Sequence, residues 1–246
     1  MRACRIILHG LAAAAALSAQ TIVHLSSRTN DAFDTYVRNV EARRDWESTP
    51  TNKSGALQIT PWSGKTPIDV QDGLVHDWIA SVEVPGTTIA RTLALFQDYD
   101  NYKNIFAPEV IESKQLGHEG NVWRAHLRLR RKNVVTVVLD TDYEVEYRPV
   151  GSDSWAILSR STRIAEVDDG KDLRVGTGNG YLWRLNAYWL LAPRPAGVYL
   201  ECRSISLSRD IPGALRWLIF PMVSRVPRDS LQATMEEARH ELQRTN

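Results

Sequence analysis

The chain has 246 residues, 43% of them hydrophobic, and a formal net charge of +1 at pH 7. That is enough for one domain with a real core, and the even charge balance excludes the strongly basic surface of a nucleic-acid binder. Its compositional peculiarity is eight tryptophans, large apolar side chains with one polar handle that suit a core or the wall of a ligand cavity.

Residues 1–20 read as a signal peptide. Arg2 and Arg5 form a positive start, Ile6 to Leu17 an apolar run, and Ser18 and Ala19 the small residues that follow. The run is shorter than the about 20 residues of a comfortable membrane span, and an uncleaved anchor is the alternative. An exported protein, periplasmic or secreted, is the expectation. Cys4 lies within this segment and only Cys202 beyond it, so neither an internal disulfide nor a cysteine-based zinc site is expected. The histidines show no metal-ligand spacing, and no cofactor is implied.

Asp31 to Trp46 reads as a helix capped by Asn30 or Asp31, with Phe33, Tyr36, Val37 and Val40 on one stripe. Thr49 to Thr66 is polar and rich in Thr, Ser, Pro and Gly, the composition of a linker. Leu74 to Val84 reads as a strand stopped by Pro85-Gly86, followed by a helix capped at Thr87 or Thr88 and a short helical segment from Tyr99 to Phe106. Strands are then expected at Val110 to Leu116, Val122 to Arg131, Val134 to Tyr147, Trp155 to Val167, Tyr181 to Leu191 and Val198 to Leu207. Gly213 to Leu242 reads as a long helix interrupted at Pro221 and Pro227. The expected division is 1–20 as signal, 21–73 as helix and linker, and 74–246 as the main domain. Short turns between successive strands imply an antiparallel meander. A curved sheet closed by one long helix leaves a cavity between them.

Two segments resemble a known superfamily. LALFQDYDNYKNIFAPEVIESKQL (Leu93 to Leu116) is similar to its aspartate-tyrosine, phenylalanine, proline passage leading into the second strand. Trp183 to Met235, beginning WRLNAYWLLAPRPAGVYLECRSISLSRD, resembles the last hairpin and gripping helix of exported bacterial members. The superfamily is the START-like, polyketide cyclase-like (SRPBCC) group. The resemblance covers about Leu74 to Asn246 and leaves residues 21 to 70 unexplained. It implies an α+β helix-grip fold: a curved antiparallel sheet of six to seven strands wrapped around a long C-terminal helix, with an N-terminal helical extension. The superfamily holds carriers, receptors and enzymes, so the resemblance speaks to fold.

Candidate site residues come from strand alternation. Pairing the last hairpin across Pro193 to Gly197 sets Tyr188 near Glu201 and Asn186 near Arg203, all sharing one face with Arg184. Trp183, Leu185, Ala187 and Trp189 then share the other face with Leu200, Cys202 and Ser204. The polar face is either solvated or lies inside the cavity, where arginines would hold a carboxylate or phosphate and Tyr188 and Asn186 would orient it. A second alternating strand carries Arg124, His126, Arg128 and Arg130. Pairing across Lys132-Asn133 sets His126 near Leu139 and Arg124 near Thr141, with Tyr143 close by. The ligand-binding candidates are therefore Arg124, His126, Tyr143, Arg184, Asn186, Tyr188, Glu201 and Arg203. The sequence holds no GxSxG elbow, HExxH, Walker loop or paired cysteine nucleophile. Gly176 to Gly180 (GTGNG) reads as a turn. Leu215 to Val223 forms an apolar patch that either grips the sheet or makes a lip for transient membrane contact.

The leading expectation is a binding or carrier protein for a hydrophobic or amphipathic small molecule. One alternative is a cyclase, dehydratase or hydrolase using His126, Tyr143, Tyr188 or Glu201. The other is an envelope protein that binds a partner through its N-terminal helix and the patch near Trp217.

Overall fold

A computed structural model describes residues 22–43, 55–132, 136–211 and 224–244. Strand β1 (Val23–His24) precedes helix α1 (Ser27–Arg43). Two short strands, β2 (Gln58–Pro61) and β3 (Ile68–Val70), lead into the long β4 (Gly73–Pro85). Helix α2 (Ile89–Gln97), a 3-10 turn (Tyr99–Asn101) and α3 (Tyr102–Ile105) follow. The meander is β5 (Val110–Glu119), β6 (Val122–Lys132), β7 (Thr136–Val150) and β8 (Ser154–Asp168). The short β9 (Lys171–Asp172) and β10 (Thr177–Gly178) come before the last hairpin, β11 (Arg184–Arg194) and β12 (Gly197–Arg209), and α4 (Val226–Arg244) ends the described chain.

The main sheet is antiparallel, in the order β2-β4-β12-β11-β8-β7-β6-β5. The first long strand therefore pairs with the last, from Gly73↔Arg209 to Pro85↔Gly197. Bulges between Val110 and Glu112 and between Gln115 and Gly117 on β5, and at Thr162 on β8 opposite Asp142 and Tyr143, bend those two strands, as an extra residue on one side of a ladder does. The curved inner face holds α2, α3 and α4. Leu231, Met235, Ala238 and Leu242 of α4 recur at helical spacing and are buried against it. Thr88 caps α2 by accepting from the Arg91 amide at 3.3 Å, as the sequence predicts.

Helix α1 lies on the opposite, outer face. Phe33, Val37 and Val40 pack there with Val75, Ile205 and Leu207. Its cap is Ser26, whose hydroxyl accepts from the Thr29 amide at 3.1 Å, so the helix begins earlier than the predicted Asn30 or Asp31. The polar 49–66 stretch includes β2, which pairs with β4. Three to four residues with a proline give too little alternation to reveal an edge strand.

Both predicted hairpin registers need correction. Tyr188 pairs with Arg203 and Asn186 with Ile205, because Arg194 pairs with Gly197 and the turn is only two residues. That displacement is even, so the residues keep their shared face. In the β6–β7 hairpin Lys132 pairs with Thr136, which sets His126 opposite Asp142 and Arg124 opposite Glu144. That displacement is odd and turns Tyr143 to the inner face. Trp183, expected to share a face with Leu185, Ala187 and Trp189, instead joins the cluster beneath α1, because it precedes the first paired residue of β11.

Gly197 is fixed by close approach: a Cβ there would lie 2.0 Å from the Val84 carbonyl oxygen. Gly197→Ala is expected to cost about 3 kcal/mol by forcing β4 and β12 apart, read as a lowered urea midpoint.

Candidate functional site

A cavity of about 500 Å³ lies between the inner face of the sheet and the helices. Leu127, Leu129, Val145, Ile157, Leu185 and Trp189 give it a mainly apolar wall. Phe96 of α2 packs on Trp189 with ring centroids 4.6 Å apart.

Two sets of polar groups on this wall are hydrogen-bonded within it. In the first, the Tyr147 hydroxyl donates to the Phe96 carbonyl at 2.5 Å and the Tyr102 hydroxyl to the same oxygen at 2.7 Å. The Tyr99 hydroxyl lies 2.7 Å from that of Tyr147, and with the Tyr147 proton committed to Phe96, Tyr99 donates to it. Burial pushes all three phenols above their ordinary range, so they stay neutral and bonded to one another.

The second set lies where β4 meets β12. His76 is on the inner face, 1% exposed, with Nε2 3.1 Å from the Ser208 hydroxyl. Its Nδ1 has no hydrogen-bond partner among the described residues. Ser204 and Ser206 share this face and also border the cavity. Burial lowers the His76 pKa to about 4, because a desolvated imidazolium is costly. Cys202 is beside them, and burial pushes its thiol well up, which makes it a poor nucleophile.

Of the residues singled out from the sequence, the structure places Tyr143 on the cavity wall, with its phenol pushed up to about 12 by burial. Arg184, Asn186, Tyr188, Glu201 and Arg203 lie together on the outer face, and most of them meet α1. Arg184 donates to Asn30 at 2.6 Å and pairs with Asp34 at 3.1 Å. The Tyr188 hydroxyl accepts from Asn186 at 3.1 Å and donates to Glu41 at 2.9 Å. Arg203 binds Asp77 with two bonds, 3.0 and 2.7 Å, and its guanidinium stacks 4.1 Å from the Trp62 ring centroid. Tyr36 of α1 donates to the same carboxylate at 2.6 Å. Glu201 accepts from Tyr199 at 2.6 Å.

Arg124 and His126 are on the outer face of β6. His126 Nδ1 lies 2.8 Å from Asp142, beside an Arg128–Asp140–Arg163 network with bonds of 2.6 and 2.5 Å. Gly176 to Gly180, read as a turn, contains the short strand β10 paired with β1, and the buried Glu166 carboxylate holds it by accepting from the Asn179 and Tyr181 amides at 2.7 and 2.9 Å. The patch Leu215 to Val223 lies outside the described residues.

His76 was missed by a search for metal-ligand spacing. The signal that finds it is alternation within β4, where His76 shares its parity with Trp78, Ala80, Val82 and Val84. Among the described residues no cluster of His, Cys, Asp and Glu could hold a metal ion. The unfolded chain protonates His76 near pH 6.5 and the folded chain only near about 4. Its contribution to stability is therefore complete above the first value and is lost as pH falls toward the second. His76→Phe should flatten that part of the pH–stability curve by about 3 kcal/mol, measured by urea unfolding from pH 7 to 4.

No protein-family model matches the sequence, and no curated protein matches it. Solved structures do. The Zhui aromatase/cyclase from Streptomyces sp. R1128 aligns with a TM-score of 0.50 at 12% identity, over 69% of this chain and 94% of that one. A STAR-related lipid transfer protein fragment from Xanthomonas axonopodis gives 0.47 at 18% identity, over 76% and 98%. Human STARD10 gives 0.48 at 9% identity, over 82% and 78%. Identities this low speak to architecture, and the architecture is the START-like helix-grip fold.

Proposed function

We propose that this protein binds and carries a hydrophobic or amphipathic small molecule in the cavity between sheet and helices. The observation behind the reading is the cavity of about 500 Å³, whose wall surface is mainly apolar. Apolar ligand surface moved into it gains about 25 cal/mol per Å², and nothing in that gain requires an activated group. The name of the similar structure that aligns at a TM-score of 0.50, an aromatase/cyclase, agrees with a small organic guest. The proposal places 74–246 as the binding domain and includes export, carried by the order of charge and apolar residues in 1–20. It also includes transient membrane contact through Leu215 to Val223. Among the described residues no helix is long and apolar enough to cross a membrane.

The partner-binding alternative needs an exposed apolar stripe on the N-terminal helix. Phe33, Val37 and Val40 are buried against the sheet, which weighs against it. The enzyme alternative keeps one specific support. His76 is a buried, hydrogen-bonded imidazole with a lowered pKa on the cavity wall, the kind of group general base catalysis uses.

Nile red, a neutral apolar dye, should bind the purified protein with one site. Ala187→Trp, which fills space on the cavity wall, should weaken that binding about tenfold, equivalent to roughly 1.4 kcal/mol, without lowering the unfolding midpoint. Unchanged dye binding in the variant would place the dye elsewhere and contradict the carrier reading. A bound ligand recovered with altered mass, such as the loss of one water, would favour the enzyme.

A further inference from the structure

The corner formed by β4 and β12 is the part of the cavity that the fold does not use. The tyrosine hydroxyls are bonded to one another and to Phe96. His76 differs. One ring nitrogen meets Ser208 at 3.1 Å, and the other has no partner among the described residues although the residue is 1% exposed. Ser206 is opposite His76 in the ladder, and Ser204 is two residues before it on the same face. Neither serine hydroxyl makes a hydrogen bond among the described residues, and both border the cavity. A buried polar nitrogen left without a partner destabilises a fold unless a guest supplies one.

We propose that His76, Ser204 and Ser206 form a hydrogen-bonding subsite for the uncharged hydroxyl of an otherwise apolar ligand: a long-chain alcohol or an alkylphenol. This deepens the carrier reading and rests on it. The free imidazole nitrogen accepts in one tautomer and donates in the other. A hydroxyl matches both, and also matches serine hydroxyls that donate and accept. A carboxylate only accepts, and in this corner it would surrender its hydration with no cation on the adjoining strand face to replace it.

Arg130 and Arg131, on β6 and separated from this corner by three strands, offer an anion a different place. Arg131 is paired with Glu109, while Arg130 and Arg209 make no ion pair among the described residues. Head-group charge is thus the variable that decides between the two locations.

The test displaces Nile red from the purified protein with three matched chains: dodecanol, dodecanoate, and tridecane, in which a methyl replaces the hydroxyl. Dodecanol is expected to compete best. His76→Phe should weaken dodecanol by about five- to tenfold and leave tridecane and the dye unchanged. Ser206→Ala, a smaller change that keeps the imidazole, should weaken dodecanol selectively and by less. Tightest binding by dodecanoate would overturn the subsite in favour of a charged head group at the arginines. Equal competition by dodecanol and tridecane, or equal losses for both in the variants, would overturn it while leaving the carrier reading intact. Failure of the dye and all three chains to bind would remove the carrier reading and the subsite together.

Discussion

β4 and β12 are hydrogen-bonded along their full common length and covered on both faces, by α1 outside and by α4 and the cavity inside. A strand in that position has no wet side. Each polar residue on it must find a partner or border a void, because an unpaired buried polar group is costly. On the outer parity the requirement is met within the chain. Asp77 and Arg203, almost fully buried, bind through two bonds, and Tyr36 brings α1 to the same carboxylate. On the inner parity it is met only in part. Ser208 partners one nitrogen of His76, and the remaining polar groups there border the cavity.

This division explains why α1 belongs with the sheet. Its apolar stripe is short, but Tyr36, Asp34 and Glu41 add polar contacts to Asp77, Arg184 and Tyr188. A buried ion pair is modest evidence for stability by itself, since desolvation offsets much of the attraction. Its geometric demand is stricter: two planar groups fix the register of β4 against β12 and the seat of the helix above them. The polar outer face of the last hairpin is accordingly a docking surface for the chain's own N-terminal helix, and the cavity is on the other side.

Much of the fold was legible in the sequence. The long strands, α2 with its Thr88 cap, and the order that implies a meander followed from alternation and turn residues. The resemblance of two segments supplied the architecture. Facing was legible wherever the turn was short, so Tyr188, Asn186, Glu201 and Arg203 were correctly grouped even though their partners were displaced. Tyr143 was grouped with the wrong face of β6, that of His126 and Arg124, because hairpin length across residues 132–136 cannot be read from composition, and an odd displacement reverses a face. That the polar face lies outward could not be decided from alternation, which gives two faces without naming either. His76 escaped because a lone histidine in an apolar strand carries no spacing signal, and only the closed sheet shows that it borders a void.

A carrier of this architecture holds its small apolar guest against the inner face of the sheet. Native mass spectrometry of the protein purified from its own host, followed by denaturing extraction, tests it most directly. One lipid-like adduct per chain is expected, small enough for a cavity of about 500 Å³ and released unchanged on unfolding. A protein that leaves its host without an adduct and takes up no apolar molecule when offered one would contradict it.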